Sequence, residues 1–106
     1  MDKRDVLEII SQFQKALEGK GIEINKLVLF GSYATGQFRE GSDIDVVVIS
    51  DSFTGKGYWE RIDILSDAIY EVFAPVEAVG MTPDEWEKKD SFIADYAGNG
   101  EIVYAA

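Results

Sequence analysis

An α/β layer fold is predicted by three features of this chain. Helical and strand periodicities alternate along its length, a Val-rich apolar run lies between two longer amphipathic stretches, and turn residues mark the changes of period. Asp2 to Glu18 places Val6, Ile9, Ile10, Phe13, Ala16 and Leu17 at helical spacing, with Gly19 and Gly21 flanking the stop. Lys26 to Phe30 is a short apolar strand delivering Gly31-Ser32, where a helical turn begins. Ile44 to Ser50 is a second strand, Val-rich and therefore central. Residues 51–57 form a loop by composition. A second long helix follows, with Trp59, Ile62, Leu65, Ile69, Val72 and Phe73 as its core stripe, and Pro75 closes that region. Val76 to Met81 is a third strand carrying Glu77. Thr82-Pro83-Asp84-Glu85 has the Thr N-cap, first-turn Pro and capping-box Glu of a helix start. A further helical segment spans Ser91 to Ala97, and Glu101 to Tyr104 forms a short edge strand.

Residues 1–106 are expected to form one domain, large enough for a core and too small for a second globular unit. Composition is globular, with 46% hydrophobic and 12% aromatic residues. The net charge of −10 argues against tight sequence-independent nucleic-acid binding, because phosphate neutralisation needs Lys and Arg. Partners are expected to be cationic or to arrive with metal. There is no Cys and no His, so disulfides, thiolate sites and the commonest general base are excluded. The charged N-terminus and the absence of a membrane-length apolar run predict a cytoplasmic protein with no membrane association.

Chemistry concentrates between Gly31 and Asp45. Asp43 and Asp45 stand two apart at a strand entry and so share a face. Two carboxylates that close repel unless a cation lies between them, and hard oxygen ligands suit Mg²⁺. D-x-D alone would be read as a solvated strand start; after Gly31-Ser32 at this spacing, a metal-phosphate site is the better account. Gly31 allows close backbone approach to phosphate, and Ser32 offers a hydroxyl donor. Arg39 and Arg61 carry the planar guanidinium that suits phosphate oxygens, with surface ion pairing an equal alternative for each. Glu77 shares a strand face with Val79 and Met81; an exposed edge-strand Glu is its alternative. Glu60, Asp63, Asp67 and Glu71 form the solvated face of the second long helix.

The run Gly31-Ser32-Tyr33-Ala34-Thr35-Gly36-Gln37-Phe38-Arg39-Glu40-Gly41-Ser42-Asp43-Ile44-Asp45 resembles the signature of the nucleotidyltransferase superfamily that includes DNA polymerase beta, especially its minimal single-domain members. Thr35 departs from the commoner Arg. Ser50, Phe53, Gly55 and Arg61 are similar to a recurring later segment, as are Val76-Glu77, residues 82–86 and residues 92–104. The resemblance implies a small mixed sheet flanked by helices in αβαβαβα(β) order. It implies Asp43, Asp45 and Glu77 as catalytic metal ligands, and Gly31, Ser32 and Arg39 as nucleotide contacts. The cofactors implied are Mg²⁺, two ions, with ATP as donor.

The same resemblance implies transfer of a nucleoside monophosphate, AMP from ATP, to a hydroxyl on a partner protein, with release of pyrophosphate. The implied partner is a helical HEPN-type toxin for which this chain is the antitoxin. A catalytically weak binding module that occludes its partner is one alternative, and a small-molecule nucleotidyltransferase is another. A homo-oligomer stays open.

Overall fold

The computed structural model describes residues 1–89 and 91–106. In chain order the elements are α1 (Lys3–Gly19), β1 (Lys26–Phe30), α2 (Ser32–Thr35), β2 (Ile44–Ile49), a 3-10 turn (Asp51–Phe53), α3 (Tyr58–Val72), β3 (Val76–Met81), α4 (Pro83–Lys88), α5 (Phe92–Ala97) and β4 (Glu101–Ala105). The four strands form one mixed sheet in the order β3-β2-β1-β4. β1 is antiparallel to β2 and β4, while β2 and β3 run parallel, joined by α3 as the crossover. The Val-rich β2 is internal, as its composition predicts, and β3 and β4 are the edges.

Strand alternation sends two sets of side chains to opposite faces. Leu27, Leu29, Ile44, Val46 and Val48 meet Val6, Phe13 and Leu17 of α1 and Leu65 and Ala68 of α3. Val28, Phe30, Val47 and Ile49 meet Trp86 of α4 and Ala94 and Ala97 of α5. Caps fix the helix starts. Asp2 and Asp5 form a reciprocal capping box on α1, and Thr82 and Glu85 form one on α4.

Two sequence expectations fail. Trp59 and Phe73 are 74% and 90% exposed, so the core stripe of α3 is shorter than the periodicity suggests. Trp59 lies in the first turn of α3, and Phe73 has left the helix, capping it at a left-handed φ of 57°. Conversely, the 51–57 loop contributes a fully buried Phe53. Its ring lies against Gly80, where an added Cβ would stand 2.9 Å from a ring carbon, so β3 needs glycine at that point.

Candidate active site

The register of the sheet builds the site. Asp45 of β2 pairs with Phe30 of β1 and with Glu77 of β3, so the three side chains stand in a row on the face that α5 partly covers. Backbone bonds from Ile44 N–H to Pro75 C=O (2.8 Å) and from Ser50 N–H to Met81 C=O (2.9 Å) pin the two ends of the β2–β3 pairing. Asp43 lies just before β2, exposed, and its charge acts on Asp45.

Burial, then the charges of Glu77 and Asp43, then a hydrogen bond with Glu77 push Asp45 from an ordinary 3.8 up to about 6. No lysine or arginine forms an ion pair with any of the three carboxylates among the described residues. Among those residues, too, no three acidic groups are gathered closely enough to hold a metal ion as they stand. What converges is the Asp45–Glu77 pair, with Asp43 beside it.

Gly31 links the phosphate-type turn to this pair. Its φ is 74°, and a Cβ added there would stand within 2.2 Å of Asp45 Oδ2. Glycine is therefore required both by backbone conformation and by the approach of the carboxylate. The Gly31 carbonyl accepts from Ala34 and Thr35 N–H at 3.1 and 3.2 Å, which starts α2 directly beside the acids. Ser32, half-buried, is its first residue. Thus Gly31, Ser32 and Asp45 come together as their spacing suggests, and the β2–β3 register brings in Glu77.

The two arginines part company. Arg39 is exposed, and its guanidinium has no partner among the described residues. Its backbone N–H instead donates to the Ser42 hydroxyl oxygen at 2.8 Å, closing the 39–42 turn. Arg61 is committed to structure. Its side chain is 16% exposed and donates to the carbonyls of Lys56, Phe53 and Gly80 and to Glu85 Oε1 at 2.6 Å. A triphosphate contact from Arg61 would require dismantling that set.

A cleft of about 380 Å³, walled by Phe30, Ile62, Val79 and Ile93, opens onto Asp45 and Glu77. Tyr96 packs edge-on against Phe30 at 5.9 Å, and exposed Phe92 stacks on Tyr96 at 6.2 Å. These wall residues were not singled out from sequence. Strand parity was the available signal, because it puts Phe30 and Val79 on the Asp45 face once the register is known.

The chain matches the nucleotidyltransferase domain family over residues 6–97, and it belongs to that family. Its enzyme class is therefore nucleotidyltransferase. It is 30% identical over 98 residues to a Methanocaldococcus jannaschii protein named "putative protein adenylyltransferase", covering 90% of this chain and 94% of that one. A second protein of that name and organism is 35% identical over 91 residues; the match covers 85% of this chain and 60% of that protein. Among solved structures, a putative nucleotidyltransferase from Sulfolobus solfataricus superimposes with a TM-score of 0.75 at 14% identity, over 97% of this chain and 83% of that one. A toxin-antitoxin structure with AMP-PNP gives 0.63 at 18% identity, over 91% and 73%. These two likenesses establish the nucleotidyltransferase fold. Among the described residues no helix is long and apolar enough to cross a membrane.

Proposed function

We propose that this chain transfers AMP from ATP to a hydroxyl on a partner protein, with Asp43, Asp45 and Glu77 as metal ligands and Gly31, Ser32 and Arg39 as donor contacts. The observation that carries the reading is the Asp45–Glu77 pair, set against a glycine that has no room for a side chain and left without a neutralising cation. The donor set is all carboxylate oxygen, which fits Mg²⁺ and not a soft metal. When bound, Mg²⁺ would screen the acids and stabilise charge on the triphosphate.

The chain's own groups have distinct tasks. Gly31 lets the Asp45 carboxylate lie directly against the turn that would hold phosphate, Ser32 donates its hydroxyl, and Arg39 is free to swing onto the triphosphate. The acceptor oxygen bonds to the α-phosphorus, and the bond from that phosphorus to the bridging oxygen breaks. Pyrophosphate departs with the electron pair. Glu77, the more exposed of the paired acids, would take the hydroxyl proton.

The names of the adenylyltransferase relatives and the toxin-antitoxin neighbour support a protein acceptor; a helical HEPN-type protein as that partner follows from the family resemblance alone. Residues 1–106 would then be one domain carrying the donor site, working in the ATP-rich cytoplasm with the hydroxyl supplied by another chain. Occlusion without catalysis is the second reading, favoured by the large exposed aromatics Trp59, Tyr70 and Phe73. Incubation with labelled ATP, Mg²⁺ and the candidate partner separates the two. Metal-dependent label on the partner, absent with Asp45→Asn, is the expected result; complex formation with no transfer would leave occlusion.

A further inference from the structure

We propose that the acceptor chain docks as an extended strand on the open edge of β3, which rests on the transferase reading above. Among the described residues β3 has a strand partner on one side only. Pro75 and Met81 turn their carbonyls toward β2, so by alternation Glu77 and Val79 face β2 and Ala78 and Gly80 face outward. The Gly80 carbonyl does point outward, where it accepts from Arg61 at 3.2 Å. That leaves the Ala78 N–H and C=O and the Gly80 N–H as a short unpaired template, ended by the arginine.

Hollows flank this template on both faces. One of about 410 Å³, lined by Tyr58, Ile62 and Leu65, opens on the α3 side. Another of about 500 Å³, lined by Met81, Ser91 and Ile93, opens on the α4–α5 side. Val79 borders both, and it also borders the cleft holding Asp45 and Glu77. An added strand turns successive side chains to opposite faces, so it fills both hollows while backbone bonds hold it. The residue opposite Glu77 would point onto the carboxylate face. It stands about 5 Å from β3 and about 10 Å from β2 by strand spacing, so a long hydroxyl side chain such as tyrosine is needed to reach the pair. The other edge, β4, lies at the far side of the sheet from the carboxylates.

Charge selects the occupant. With a net charge of −10 a second copy is repelled, whereas a basic segment is attracted. The probe is therefore a short peptide alternating valine and lysine around a central tyrosine. With ATP and Mg²⁺ the peptide should slow hydrogen exchange at Ala78 and Gly80 and acquire AMP on the tyrosine. Methylating peptide amides in one alternating frame should abolish both effects, and the other frame should leave them. Ala78→Pro removes an outward N–H on an edge strand, where proline is tolerated, and should cut transfer at least tenfold with ATP–Mg²⁺ binding unchanged. The methylation series uses the unaltered chain, so it decides the matter even if that variant fails to fold.

Transfer without protection of Ala78 and Gly80, or with both methylation frames tolerated, would overturn the docking and leave the transferase standing. Protection without transfer would support the docking and sink the transferase reading. No protection by the peptide, or protection that rises with protein concentration in its absence, overturns the proposal, the latter in favour of a second copy.

Discussion

Two carboxylate centres lie along β3, and their contrast separates chemistry from architecture. At one, Glu77 faces Asp45 with Asp43 nearby, and Asp45 is pushed up to about 6. At the other, Glu85 receives the Arg61 guanidinium and the Thr82 N–H, and its carboxyl is held below the ordinary 4.5. The second centre is complete: the arginine satisfies the acid and ties the 51–57 loop, β3 and α4 together. The first is unbalanced, since burial and like charge both oppose ionisation. A protein gains nothing in stability from such an arrangement, and perturbed groups of this kind concentrate at functional sites.

The largest expected effect is on transfer. Asp45→Asn keeps the shape and removes the charge, and should reduce AMP transfer by roughly a thousandfold or more, the scale of losing one preorganised charge-stabilising group. Arg61→Met should fold less stably but keep a measurable rate when folded. If instead Arg61→Met abolished transfer at a temperature where it is fully folded, the division between the two centres would collapse.

Stability should show the reverse order. Breaking a buried pair costs about 3 to 5 kcal/mol, and the half-exposed Glu85 brings that toward about 2 kcal/mol for Arg61→Met. For a domain of this size that is a fall of roughly 10 °C in melting temperature. Without metal, Asp45→Asn should melt at the same temperature as the parent at neutral pH or a few degrees above. Mg²⁺ should stabilise the parent by about 2.7 kcal/mol at about 100 times Kd, and the variant should lose most of that gain. An apo Asp45→Asn that is clearly less stable, with its magnesium response intact, would make Asp45 architectural.

The sequence displayed the first centre more clearly than the second. Gly31, Ser32, Asp43 and Asp45 are close in the chain, and strand parity alone aims both aspartates one way. Glu77 needed the parallel β2–β3 register, which follows from a crossover through α3 and is not written in local periodicity. Arg61 was legible as a cation but not as a buried tie, because its four acceptors come from three separate segments. Trp59 and Phe73 misled for a related reason. A helical period marks one face, but where α3 begins and ends decides whether its terminal residues reach the core.

The smallest expected effect is a pH signature that runs in opposite directions at the two centres. Asp45 is raised in the folded protein, so between its ordinary 3.8 and about 6 the native state binds more protons than the unfolded one. Its contribution is most favourable below that window and is lost as pH rises through it. Glu85 is lowered, so its contribution is present above 4.5 and is lost as pH falls through the folded value. Chemical denaturation of the metal-free parent, Asp45→Asn and Glu85→Gln from pH 7 down to pH 3 reads both. The parent should be less stable than Glu85→Gln's opposite number, Asp45→Asn, or equal to it at pH 7, and should gain on it as the pH falls through 6. Against Glu85→Gln, the parent's advantage should persist to about pH 5 and then shrink. Because Glu85 is half-exposed, solvent screens its pairing and that advantage stays small. Two difference curves sloping the same way would mean that Asp45 also has a cationic partner, and the contrast between the centres would fail.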